Sequence, residues 1–187
     1  MLALTNHYLA VLDACVLAPM PICDTLLRLA EEPAFYVPKW SMCILAEVER
    51  TLIKFGYSPQ QAKRRIQQME IAFEDASVGD YEALTPAMTN HPKDRHVLAA
   101  AVKCQAHAIV TDNTKDFPNH CLTPYGIEPI TPDDFLIHQY HFDRDQVAIV
   151  LEQQAAKIKR HPAALLALLS RNAPKFAALA GSLLDSM

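Results

Sequence analysis

Glycine is scarce in this chain. Its 187 residues include only four, Gly56, Gly79, Gly126 and Gly181, and none lies near another. A P-loop and a G-x-G-x-x-G fingerprint both need clustered glycines so that backbone can wrap a phosphate, and both are excluded. Cysteines at metal spacing are missing as well. Cys15, Cys23, Cys43, Cys104 and Cys121 are odd in number and contain no C-x-x-C. That argues against a disulfide scaffold or a structural zinc site, and for free thiols in a reducing, cytoplasmic setting. No apolar run nears the length of a membrane span, and the first residues lack a basic-then-apolar leader pattern. A soluble protein with no membrane partner is expected. Excess positive charge is also absent: 17 Lys and Arg face 21 Asp and Glu, a net charge of −4. That balance disfavours a broad basic face for nucleic acid. Hydrophobic residues make up 51% of the chain, enough for a real core.

What is present is an alternation of short apolar runs and helical patterns. Residues 8–12 read as a buried strand ending at Asp13. A helix is expected at 22–31, then a strand at 35–37 stopped by Pro38. Ser41 suits the N-cap of a helix over 42–54, which Gly56 closes. Ser58-Pro59 opens another over 59–74, and 76–78 reads as a short third strand. A helix at 92–105, a buried strand at 108–111, a last strand within 125–130 and a helix capped by Thr131 follow. This alternation predicts an α/β fold with a mostly parallel sheet. After residue 142 only helices are expected, over 145–160, 163–171 and 174–185. The chain is therefore divided into an α/β domain, 1–142, and a helical C-terminal extension, 143–187.

Parallel α/β sheets carry their sites at the C-terminal ends of strands. Asp13 follows the first strand there, and Asp112 and Asp116 follow the strand at 108–111. Glu47 and Asp94 lie on helices able to face the same edge. Carboxylates gathered in this way call for hard cations, Mg²⁺ or Mn²⁺. Each acid also has a plain structural reading. Asp13 can cap a helix, Asp94 can favour a helix dipole, and Asp116 can be a turn acid. Glu47 and Glu49 flank the apolar stripe of their helix about equally, so geometry does not choose between them. Two other pairs at metal spacing, His138/His141 and Cys104/His107, have no further ligand beside them and read as surface or packing residues.

Four stretches carry a resemblance to a known family. They are 11–17 (VLDACVL), 41–52 (SMCILAEVERTL), 93–101 (KDRHVLAAA) and 110–117 (VTDNTKDF). In order and separation they resemble PIN-domain nucleases of the VapC toxin kind, over roughly residues 8–140. The resemblance implies a three-layer α/β/α PIN-like fold with a central parallel sheet. It implies a Mg²⁺-dependent (or Mn²⁺-dependent) endoribonuclease that hydrolyses RNA phosphodiester bonds. It also implies an antitoxin partner and a homodimer. Carried over by motif, the catalytic acids and metal ligands are Asp13, Glu47, Asp94 and Asp116, with Asn113 assisting. The family pattern selects Glu47 over Glu49. It favours Asp116 over Asp112, and Asp112 stays open. Arg50, Lys54, Arg95 and Thr111 are the candidate substrate contacts. One departure is visible: Ala14 and Cys15 follow Asp13 where the family often has small polar residues that tune the ligand. The competing reading is a PIN-fold scaffold that binds RNA or protein without catalysis.

Overall fold

A computed structural model of the chain describes residues 8–184. Two compact units divide it. The first takes the chain up to Pro19 and then Tyr36–Ile130; the second takes Met20–Phe35 and everything from Thr131 on.

The first unit is built on a four-stranded, all-parallel sheet in the order β2-β1-β3-β4. Its strands are β1 (Leu9–Leu12), β2 (Val37–Lys39), β3 (Ala108–Val110) and β4 (Glu128–Ile130). The central pair, β1 and β3, is apolar and buried, as two covered faces require. Both edge strands carry a proline at mid-strand, Pro38 and Pro129. A residue without an N–H fits a ladder only where one side goes unused. This explains why β2 runs through Pro38, where the sequence pattern had the strand stop. The expected strand at 76–78 shrinks to one bridge between Trp40 and Ser77, after a 3₁₀ turn at Glu74–Ala76. Asp80 then turns the chain away in the left-handed region, with φ 55°.

Helices follow in chain order. They are α1 (Ala14–Leu17), α2 (Ile22–Arg28), α3 (Met42–Lys54), α4 (Pro59–Ala72), α5 (Arg95–Lys103) and α6 (Asn119–Leu122). Ser41 caps α3 by accepting from the Ile44 N–H at 3.3 Å. Ser58 and Gln61 form a reciprocal capping box on α4. The expected helix at 92–105 starts later, because Pro92–Asp94 forms a 3₁₀ turn before α5. Val97, Leu98 and three consecutive alanines of α5 are buried, and the helix packs on β1 and β3. Small side chains let it sit close over the middle of the sheet.

The second unit contains α2, α7 (Pro132–Phe142), α8 (Arg144–Lys157), α9 (Pro162–Leu169) and α10 (Pro174–Leu184). Gln154 of α8 is fully buried. It accepts from the Thr25 hydroxyl at 2.8 Å and donates to the Pro21 carbonyl at 3.1 Å, which ties α8 to α2. This unit begins at Thr131 and recruits residues 20–35, whereas the sequence reading put the boundary after residue 142. Pairing between residues so far apart leaves no local mark in composition. The expected class, α/β/α with a central parallel sheet and C-terminal helices, describes the molecule. Among the described residues, no helix is long and apolar enough to cross a membrane.

Candidate metal centre

The strand order reverses direction between β1 and β3. In open parallel sheets that is where a crevice opens beyond the strand ends. The register pairs Leu12 with Val110, so the next residues, Asp13 and Thr111, stand side by side at the crevice. Asp13 is buried, with 6% of its surface exposed. Its Oδ1 accepts from the Ala14 N–H at 2.6 Å, capping α1. Its Oδ2 accepts from the Thr111 hydroxyl at 2.7 Å and from the Cys15 thiol at 3.3 Å. Thr111 is fully buried. Its hydroxyl also accepts from the Asn113 N–H at 3.0 Å. The structure thus makes Thr111 a support for Asp13, with no surface left to meet a substrate.

Three further groups gather beside this pair. Asp94 ends the 3₁₀ turn before α5, and Asp116 ends a second 3₁₀ turn, Thr114–Asp116. The His91 N–H donates to the Asp116 carbonyl at 3.1 Å and stitches the two turns together. His91 Nδ1 then lies 3.4 Å from Asp94 Oδ2 and 4.0 Å from Asp116 Oδ2. Ligand atoms of His91, Asp94 and Asp116 all fall within 4.8 Å of one another. Asn113 Nδ2 donates a short hydrogen bond to Asp116 Oδ2.

The electrostatics mark the same place. Burial, then the charges of Asp13 and Asp116, push the Asp94 carboxyl up to about 6, against a mild pull from His91. Asp112 is raised too, by desolvation first and then by Asp13. Its N–H donates to the Cys15 sulfur at 3.3 Å. A carboxyl whose proton affinity is raised by neighbouring acids lies where positive charge is short, and a divalent cation would supply it.

Other expected residues are placed differently. Glu47 of α3 lies 3.3 Å from His96 Nε2 of α5 and 3.6 Å from Arg50. It is outside the His91, Asp94 and Asp116 group, as is Asp13, while Asn113 touches that group through Asp116. Arg50 and Lys54 are exposed on α3, while half-buried Arg95 donates to the Asn90 carbonyl at 3.4 Å. Lys93 and Lys115 stand exposed on the two turns that bear Asp94 and Asp116. Of the rival histidines, His107 accepts from the Leu9 N–H at 3.1 Å and stacks on Tyr8, a packing role. The sequence reading missed His91. The available signal was a histidine three residues before Asp94, set in an extended conformation by Pro92.

The PIN-domain family profile matches residues 9–115, and the profile of the VapC50 C-terminal domain matches residues 132–182. One relative is the "Putative ribonuclease VapC50" of Mycobacterium tuberculosis (strain ATCC 25618 / H37Rv). It is 45% identical over 109 residues, which are 57% of this chain and 64% of that protein. The matched stretch therefore spans less than two thirds of that relative's length. No solved structure matches.

Proposed function

The chain belongs to the PIN-domain family, and from that premise we propose that it is a divalent-metal-dependent endoribonuclease, the toxin of a toxin–antitoxin pair. The observation that carries this reading is the gathering of His91, Asp94 and Asp116 near Asp13 at the β1/β3 crevice, with Asp94 raised by burial and by the Asp13 and Asp116 charges. Likeness to a protein named as a ribonuclease points to RNA as the substrate class.

The donor set fits a hard cation, since oxygen ligands dominate and their charges are uncompensated. Asp94 and Asp116 would hold it, with Asp13 beside them and Asn113 steering Asp116. When bound, a Mg²⁺ or Mn²⁺ ion supplies polarisation of water and neutralisation of phosphoryl charge. The protein's own groups do the rest. Thr111 and Ala14 orient Asp13 through its two oxygens. Glu47, held by His96 and Arg50, is assigned to position the attacking water. Lys93, Arg95 and Lys115 adjoin Asp94 and Asp116 in the chain, and with Arg50 and Lys54 they would hold the phosphate backbone. Single-stranded or looped RNA suits such a groove. By likeness to VapC-type toxins, an antitoxin partner, a homodimer and a cytoplasmic setting belong to the same proposal. The helical unit is the candidate surface for those protein partners.

The test is cleavage of end-labelled RNA by purified protein with Mg²⁺, with Mn²⁺ and with chelator. Cleavage should need the metal. Asp94→Asn and Asp13→Asn should each lose roughly 10³-fold or more, beyond the 10–100-fold typical of removing an outer partner. Undiminished cleavage by either variant removes the assignment. Metal binding without any cleavage favours the scaffold reading.

A further inference from the structure

We infer that His91 is itself a ligand of the metal, so that the site is a mixed nitrogen–oxygen site that prefers Mn²⁺ to Mg²⁺. This rests on the metal-site reading above and adds a ligand to it.

The first argument is geometric. Two donors on one octahedral ion, with bonds of about 2.1 Å, stand about 3.0 Å apart when adjacent and about 4.2 Å apart when opposite. His91 Nδ1 lies 3.4 Å from Asp94 Oδ2 and 4.0 Å from Asp116 Oδ2. The first lies within a few tenths of an ångström of the adjacent value and the second near the opposite value. With all three ligand atoms within 4.8 Å of one another, a modest shift lets one ion touch the three groups.

The second argument is positional. His91 is held by the backbone of both residues it would join: its N–H donates to the Asp116 carbonyl, and its own carbonyl accepts from the Asp94 N–H at 2.9 Å. Pro92 then restricts the His91 backbone to an extended conformation. The imidazole root is thus fixed at the junction of the two acid-bearing turns, while its ring stays partly open to solvent, with 43% of the side chain exposed.

Ligand softness gives the selectivity. Mg²⁺ and Mn²⁺ both favour carboxylate, carbonyl and water, but Mn²⁺, as a first-row transition ion, accepts an imidazole nitrogen more readily than Mg²⁺ does. Replacing one oxygen donor by nitrogen therefore weakens Mg²⁺ relative to Mn²⁺. The competing account keeps His91 as a cationic partner of Asp94 and Asp116 that a metal would displace. In that account, loss of His91 leaves metal affinity unchanged or tightens it.

The experiment uses the full chain and two probes, MnCl₂ and MgCl₂. Binding is measured by calorimetry, and bound Mn²⁺ is examined by pulsed electron paramagnetic resonance for coupling to a ¹⁴N nucleus. Wild type should bind Mn²⁺ more tightly than Mg²⁺ and show the nitrogen coupling. His91→Ala should lose the coupling and weaken Mn²⁺ by roughly tenfold or more, with Mg²⁺ changed by less than about threefold. His91→Asp should bind Mn²⁺ without the coupling and shift preference back toward Mg²⁺, which keeps the test open if the alanine variant folds poorly. Absence of nitrogen coupling in wild type, or equal change for both ions in His91→Ala, overturns the inference. Asp94→Asn separates the two levels of claim. If it loses both ions while His91→Ala keeps both, the metal site stands and the histidine ligand falls. If wild type binds neither ion, the site reading itself falls.

Discussion

Acids near helix starts behave in opposite ways in the two units of this molecule. In the helical unit, Asp133 of α7 is buried, and both its oxygens accept from the first turn of α10. The Phe176 N–H donates at 2.8 Å and the Lys175 N–H at 3.2 Å. Its neighbour Asp134 is held below the usual carboxylate range, chiefly by hydrogen bonds from Lys175 and Thr131. In the sheet unit, Asp94 is pushed up to about 6 by burial and by Asp13 and Asp116. Asp133 and Asp134 are supplied with donors by the fold; Asp94 faces other acids. An acid with its donors in place is explained by stability. An acid raised by other acids is one that a cation from outside the chain would stabilise, and such perturbed groups concentrate at functional sites.

This contrast predicts opposite signs for neutralising substitutions, and these are the largest stability effects expected. Asp133→Ala leaves two backbone N–H groups at the start of α10 without their acceptor, one of them buried. It should destabilise the helical unit by about 2–3 kcal/mol. Urea unfolding should register the loss, with hydrogen exchange speeding at Lys175 and Phe176. Asp94→Asn, measured in chelator, should instead raise the midpoint, because it removes one charge from a repelling cluster. If both substitutions destabilise alike, the division between structural and functional acids fails.

A pH scan sharpens the same contrast with a smaller effect. The folded state holds the Asp94 proton more tightly than the unfolded chain does, whose ordinary value is 3.8. Between about pH 4 and 6 the folded state binds the extra proton, so metal-free stability should fall as pH rises through that window. Asp134 has the reverse sign: its lowered value adds stability above about pH 4, which is lost as pH drops further. Melting curves in chelator should show the fall between pH 4 and 6 in wild type and not in Asp94→Asn. Mn²⁺ affinity should rise over the same window, since a ligand must shed its proton to bind. A flat affinity from pH 5 to 7 would count against Asp94 as a ligand.

Much of the sheet unit was legible because its signals are local. Apolar runs ending in Asp13 and Thr111, and serine caps at Ser41 and Ser58, need no knowledge of distant residues. What could not be read depends on contacts across the chain. The place of His91 comes from a backbone bond to Asp116, and the surroundings of Glu47 come from His96 on another helix. Residues 20–35 join the helical unit through Gln154, a polar residue that periodicity treats as surface. Pro38 misled for a related reason: its effect depends on whether the strand is an edge, which is a property of the whole sheet.

Cys15 gives the smallest and most specific test. Sequence comparison suggests that a polar support for Asp13 is missing there. In the structure the thiol takes that place, 3.3 Å from Asp13 Oδ2 and 3.3 Å from the Thr111 hydroxyl, while accepting from the Asp112 N–H. Burial, then the Asp13 charge, push the thiol up to about 12, so it stays protonated and able to donate at neutral pH. Cys15→Ser preserves a donor and should hold metal affinity within about threefold, whereas Cys15→Ala should weaken it by up to roughly tenfold. The alanine variant should also lose about 1 kcal/mol of stability. Calorimetry with Mn²⁺ on both variants decides the matter. Equal affinity for alanine and serine would mean that Thr111 alone orients Asp13 and that the thiol only fills space.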